Sequence, residues 1–530
     1  MNKTARSASR FILQNIFKET KMKHISLKKQ LCLVLAVLML FSIMTACADS
    51  GDEQPDAVET TTPAPGADTP GDATETTPAP EETTPATPDN LPADLKYNNE
   101  QIDFLAWKQG VIEYYADEQN GDAVNDAIYY RNMTVEERLG VTLEFNEIKG
   151  NSSAFQEYCQ TVMTAVNAGD NSYDALACYL RSAGVLTLQH GLEDLLSVEY
   201  VDFTQPWWPS SLTELNPVND KLFFMSGDIA TSLLYQMMFM IYNTQLGTDL
   251  ALEDPQALAL EGKWTQDKLL TMATGAYADL DTSGDKTETD QYGLFSYQHP
   301  NLDIFYMGAG LNYIDPTDSG ELVLADDILS EKSYGIIDKL NNIFYNSNDG
   351  FFTKSVSDTS VLMAGTSLFY NITGQLLTQT FYNSEMSYSI LPAPKYDEAQ
   401  ASYLTPVAFT HSMYCIPVSA KNADMSGAVL ECMASEGYRQ VTPALFESSF
   451  KYKYSKGEND AKIFEMIRSG VVFDIGRPFF DELGGDASSP IRVWRQQIEN
   501  GLNRLSSSSK TYLKRWETAI VNINKGLLGE

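Results

Sequence analysis

An α/β fold in two lobes is the architecture that the sequence predicts, and three observations carry the prediction. Strand-like and helix-like segments alternate from about residue 100 onward. The stretch from Asp94 to Glu530 is longer than one hydrophobic core accommodates, since single cores stop growing at about 250–300 residues. No repeat of roughly 20 to 50 residues runs through it, which sets aside a solenoid or a propeller.

The elements follow in order. QIDFLAW, Gln101–Trp107, reads as a buried strand. AVNDAIYYRNMTVEERLG, 123–140, has apolar residues at helical spacing and stops at Gly140, the residue type that most readily takes the left-handed C-cap. VTLEFNEI, 141–148, alternates as a half-buried strand does. SAFQEYCQTVMTAVNAGD, 153–170, is a second amphipathic helix, and YDALACYL, 173–180, a third strand. Strand, helix, strand, helix, strand is the signature of a mostly parallel sheet.

Ahead of this domain lies an address. LCLVLAVLMLF, Leu31–Phe41, is too short for the roughly 20 apolar residues of a membrane span. Lys21, Lys23, Lys28 and Lys29 precede it, and small residues follow, which describes a secretory signal. MTAC, Met44–Cys47, resembles the bacterial lipobox, with Met44 where leucine is usual. The resemblance implies that residues 1–46 are removed and that Cys47 becomes the lipidated first residue. Met22 heads a conventional signal by itself and is an alternative start. Residues 47–93 are mostly Thr, Pro, Ala, Asp and Glu, with almost nothing to bury, so ordering them would cost entropy without return. Their prolines extend the segment into a spacer. An anchor, a tether and a domain point to the outer face of a cell membrane, touched through the lipid alone.

Charge and residue counts exclude several functions. The net charge is -34, and removing residues 1–46, with eight Lys or Arg and one Glu, leaves -41. Nucleic acid demands a basic surface, so it is excluded as a partner. Of six cysteines, Cys159, Cys178, Cys415 and Cys432 fall in the folded region; they read as buried thiols with room for one bridge, and none has zinc-ligand spacing. No nucleophile elbow, HExxH helix, phosphate loop or dinucleotide fingerprint occurs. The mature chain holds three histidines, His190, His299 and His411, too few for multi-histidine chemistry. With 71 acidic residues, a carboxylate pair in any cleft carries little information about glycosidase activity.

KLFFMSGD (221–228), MFMIYNTQL (238–246), GKWTQDKLLTMA (262–273), YSILPAPKYDEAQ (388–400) and HSMYCIPVSAKNADMSGAVLECMAS (411–435) resemble, in that order, the extracellular solute-binding lipoproteins of ABC importers, in their carbohydrate-type family. The resemblance implies a two-lobe, periplasmic-binding-protein-like (type II) fold with hinge-crossing strands and a helical C-terminal region. MFMIYNTQL resembles the first crossing and YSILPAPK the return. Residues 94–240 and 396–455 are expected in one lobe, and 241–395 and 456–530 in the other. The implied protein is a monomer on a Gram-positive cell surface that carries a solute, an oligosaccharide first, to permease subunits and performs no chemistry. The alternatives are a receptor for another solute such as a peptide, or a surface enzyme that degrades glycans.

Candidate ligand contacts are polar and aromatic residues at strand ends, where open α/β sheets present their crevice. They are Trp107, Lys108 and Gln109; Tyr179 and Arg181; Tyr297 and Gln298; and Tyr370 and Asn371. Asp228 and Gln236 join them just before the crossing, as polar contacts do in sugar-binding relatives. Of the adjacent Trp207 and Trp208, at most one ring is expected to face the cleft. Sugar rings offer apolar faces to aromatic rings and hydroxyls to polar side chains.

DLDTSGDKTETD, Asp279–Asp290, fits a twelve-residue calcium loop. Asp279, Asp281, Ser283, Thr287 and Asp290 stand at ligand positions, Asp285 offers its carbonyl, and Gly284 makes the turn. Lys286 replaces the usual apolar residue, and Asp290 is shorter than the usual glutamate. A structural calcium is the expectation.

Overall fold

The computed structural model describes residues 88–215, 221–354, 360–381, 385–450 and 458–529. Cys47, and with it the expected signal and most of the tether, lies outside the described residues. The end of the expected tether, 88–93, is folded instead, because Asp89 is buried against Arg138 and Ser435 and Leu91 joins the core. Nine strands build the two larger sheets: β1 (Glu100–Trp107), β2 (Val141–Ile148), β3 (Ala175–Tyr179), β4 (Met238–Asn243), β5 (Tyr292–Tyr297), β6 (Gly350–Thr353), β7 (Ser367–Thr373), β8 (Tyr388–Leu391) and β9 (Ser412–Cys415). The first sheet runs β9-β3-β1-β2, with β1 parallel to β2 and β3, and β9 antiparallel to β3. The second runs β8-β4-β7-β5-β6, with β5 parallel to both its neighbours and β4 antiparallel to both of its own. Each sheet centres one lobe.

Local chemistry sets the helix ends. The helix α1 (Ala123–Leu139) starts where the Asp122 carboxylate accepts from the Val124 and Asn125 amides, and it stops at Gly140 with φ 60°. The helices α2 (Phe155–Ala168) and α3 (Leu180–Leu188) flank β3, whose five side chains are all buried. The expected strand YDALACYL is therefore shorter: it ends at Tyr179, and Leu180 already opens a helix. MFMIYNTQL likewise divides, because Asn243 caps the Leu246 amide and turns the chain into helix after β4.

Between the sheets, segments of chain run side by side. The short helix α4 (Thr231–Gln236) leads into Met237, which bridges to Val407 in antiparallel fashion. The Ala408 amide donates to Gln236 O at 2.8 Å. The crossings therefore lie at Met237 and at 405–409, not in MFMIYNTQL and YSILPAPK, whose Met238–Asn243 and Tyr388–Leu391 are strands of the second sheet. Thr405–Pro406 pairs with Val471–Val472, so the C-terminal stretch lies along this return crossing. That stretch continues from α5 (Glu458–Ser469) to α6 (Pro490–Glu499) and α7 (Leu505–Leu528). Asn524 of α7 exchanges two hydrogen bonds of 2.9 Å with Leu322 in the second lobe. Gly526 meets Leu188 of α3 in the first, where a Cβ would lie 2.9 Å from Leu188 Cδ2.

The four cysteines of the described residues are buried free thiols, and burial pushes Cys159 and Cys432 up to about 12. Cys178 Sγ lies 3.9 Å from Cys415 Sγ across β3 and β9.

Candidate ligand site between the lobes

The crevice side of the first sheet is built from the carboxyl ends of β1 and β3. Trp107, at the end of β1, is buried and donates from Nε1 to Ser412 Oγ at 2.9 Å. Gln109 donates to the Tyr114 hydroxyl at 3.0 Å and to Ser412 Oγ at 3.2 Å. Lys108 between them is exposed. The Tyr179 ring centroid lies 5.6 Å from that of Trp107, and burial raises its phenol. Arg181 opens α3 and grips Asp481 through Nε at 2.5 Å and through Nη2, while its guanidinium sits 4.4 Å over Phe155.

Below these residues, the return crossing and the C-terminal stretch enclose a cavity of about 10 Å³ lined by Leu180, Val407, His411, Phe473, Asp474 and Arg477. His411 donates from Nδ1 to Ala408 O at 2.6 Å, and burial pushes its imidazole down to about 4, so the ring is neutral near pH 7. Asp474 accepts from the Tyr313 amide at 2.5 Å and the Gly476 amide at 2.8 Å, yet burial raises it to about 6. Arg477 lies 4.2 Å over Phe409 and touches Met307 Sδ at 3.3 Å. Asp303 of the second lobe is held by Arg495 Nε at 2.7 Å and Nη2 at 2.5 Å. None of His411, Phe409, Asp474, Arg477 or Asp481 was among the expected contacts. Only Arg477 and Asp481 share a local run, RPFFDE at 477–482, and it matches no known motif.

Other expected contacts are engaged elsewhere. Of the pair for which at most one cleft-facing ring is expected, neither faces the cleft: Trp207 and Trp208 are both buried and donate to Glu431 at 3.0 and 2.9 Å, so neither serves as a ligand contact. Asp228 is buried in an ion pair of 2.9 Å with Arg468 and accepts from Thr442 at 2.5 Å, so it serves packing between helices rather than a cleft surface. Tyr370 and Asn371 are not at a strand end, because β7 runs on to Thr373 and both are buried mid-strand. The Tyr370 hydroxyl accepts from the Ser367 amide at 2.8 Å, and Asn371 donates to Asn301 O at 2.9 Å. Gln236 donates to Gln375 at 2.6 Å, linking α4 to the helix after β7. At the end of β5, Tyr297 is buried, its phenol pushed up to about 12, while Gln298 is exposed at φ 57°.

The acidic loop gathers part of its expected set. Carboxylate oxygens of Asp279, Asp281 and Asp290 come within 4.8 Å of one another. Asp279 Oδ1 is buried without a hydrogen-bond partner, and Gly284 turns at φ 78° with its amide donating to Asp279 Oδ2. Lys286 turns away, giving its ammonium to the carbonyls of Phe344, Ser347 and Gly350. Ser283 instead donates to the Asp285 carbonyl at 3.1 Å and Thr287 to Asp281 at 2.8 Å, so three of the six expected ligands converge. An all-oxygen donor set of this kind suits a hard cation.

No protein-family model matches the chain, and no curated protein matches it. Solved structures do. A cyclo/maltodextrin-binding protein complexed with maltotetraose is 12% identical, covering 82% of this chain and 98% of its own, at a TM-score of 0.50. A sugar transporter from Rhizobium etli in an open conformation is 11% identical, covering 81% and 99%, at 0.50. The galacto-N-biose/lacto-N-biose I-binding protein of an ABC transporter from Bifidobacterium longum is 12% identical over 81% and 98%, at 0.48. The chain has the two-lobe α/β fold that the first two of these proteins share.

Proposed function

We propose that the protein is a cell-surface receptor that captures an oligosaccharide between its lobes and hands it to an ABC permease. One observation carries the reading. Leu180 just past β3, the return crossing and the C-terminal stretch line one cavity beside the pairing of Met237 with Val407, and Trp107 at the end of β1 bonds to Ser412 next to it. Contacts on both lobes favour the closed form, so ligand shifts the hinge and the permease reads the closed state. Lys108, Gln109, Tyr179, Arg181, Tyr297 and Gln298 remain its candidate polar and aromatic rim. Binding and release complete the task, so the protein is not an enzyme. Cys47 carries the lipid that holds it at the membrane's outer face, beside its transporter.

A structural calcium belongs to the same reading, held by Asp279, Asp281 and Asp290 in the second lobe. It would neutralise the three clustered carboxylates and fix the loop that leads into β5.

A thermal-shift screen of mono- and oligosaccharides against peptides tests the function. A ligand at 100 times its dissociation constant adds about 2.7 kcal/mol to stability. A glycan that raises the melting temperature and is recovered intact supports the receptor; a shift by peptides alone, or turnover of the glycan, defeats it.

A further inference from the structure

Arg477 is the arginine that lines the cavity, and two other arginines of this region each present one edge to a carboxylate. Arg181 offers Nε and Nη2 to Asp481, and Arg495 offers Nε and Nη2 to Asp303. Arg477 is 5% exposed, and its Nε and Nη2 have no hydrogen-bond partner. Its Nη2 is 3.8 Å from Asp303 Oδ2, an oxygen already taken by Arg495. A buried guanidinium edge left unbonded is costly, because water no longer solvates it.

His411 lines the same cavity and is 1% exposed. Its Nδ1 faces the Ala408 carbonyl and must carry the proton, which leaves Nε2 a bare acceptor, also without a partner. The cavity floor therefore offers a two-pronged donor beside a single acceptor. A carboxylate matches the side-on guanidinium edge with both its oxygens, and a neighbouring ring hydroxyl matches the imidazole lone pair.

We infer that Arg477 and His411 form a subsite for a carboxylate-bearing sugar, so that the captured saccharide contains uronate units. The inference rests on the proposed reading of this crevice as a sugar site. Asp303, Asp474 and Arg495 are the other charged groups around Arg477, so the two acids offset the two arginines and selection of a carboxylate would rest on the unbonded guanidinium edge rather than on net charge. With about 10 Å³ the cavity takes about one water in this conformation. Entry requires the lobes to part. Arg477 lays its face on Phe409 of the return crossing and touches Met307 of the second lobe through Nη1, so its contacts come from both sides of the crossing.

The test is titration calorimetry on the mature chain with uronate oligomers of gluco-, manno- and galacto-configuration and their neutral counterparts. At least one uronate oligomer should bind about ten- to a hundredfold more tightly than its neutral partner, the worth of a charge-assisted pair. Arg477→Lys keeps the charge but not the fork and should reduce that preference to within about threefold. Neutral oligomers that bind as tightly as acidic ones would overturn the inference, leave the receptor reading standing and reduce the cavity to a water site. A preference that survives Arg477→Lys would also overturn it. Binding of no saccharide of either kind would overturn the sugar reading with it. If the variant does not fold, the wild-type comparison alone decides.

Discussion

Gly184→Ala is the perturbation that most directly probes how the C-terminal stretch forms the crevice floor. Gly184 lies in α3, four residues after Leu180, and faces the backbone of Pro478, one residue beyond Arg477. A Cβ at Gly184 would stand 2.7 Å from the Pro478 carbonyl carbon and would overlap its oxygen. Ordinary contact begins at 3.4 Å, so the Pro478 segment must retreat by roughly 0.7 Å or more. Backbone cannot swing aside as a flexible side chain does. Overpacking of this kind costs about 1–3 kcal/mol, against a gain of about 1 kcal/mol when alanine replaces glycine inside a helix. The net expectation is a loss of up to about 2 kcal/mol in denaturant unfolding, with weaker binding of any saccharide that the wild type takes. The loss in affinity should exceed that of Gly110→Ala, whose added Cβ meets nothing within 4 Å. An alanine variant as stable as wild type with unchanged affinity would refute the claim that Pro478 and Arg477 are positioned by close contact with α3.

Other consequences follow from the same contacts. Burial raises the Glu431 carboxyl to about 7 against the pull of two indole donors, so the folded state holds its proton more tightly than the unfolded chain does. Its contribution is complete below about pH 4.5 and is lost as pH rises through 7, and over that window Glu431→Gln should remove a decline of up to about 3 kcal/mol, read as the difference between the two pH-stability curves. A double-mutant cycle on Arg181→Met and Asp481→Asn should return a coupling of about 1–3 kcal/mol, because the pair is bidentate and half-buried; a value near zero would mean an ordinary surface pair. Asp279→Ala should abolish any rise in melting temperature on adding calcium, and an unchanged rise would place the ion outside this loop.

The elements nearest to one another in sequence were the most legible. VTLEFNEI matched its strand end to end, and the helix before it stopped at Gly140, because alternation and capping are local signals. Trp207, Trp208 and Asp228 were recognised as residue types able to meet a sugar, but their partners were not visible. Glu431 lies 223 residues beyond Trp208, and Arg468 lies 240 beyond Asp228. Long-range partners of that kind decide whether a polar ring or carboxylate faces a cleft or the core. Tyr370 and Asn371 failed for a local reason: the β-branched Ile372 and Thr373 extend the strand past them. Arg477 and His411 carry no motif, and only tertiary structure brings together two residues 66 positions apart around one cavity.

Small-angle X-ray scattering of the mature chain, with and without a saccharide that raises its melting temperature, tests the central claim most directly. Capture between two hinged lobes predicts a smaller radius of gyration at saturating saccharide. A scattering curve unchanged at saturation would contradict capture by closure and place the sugar on a surface outside the crevice.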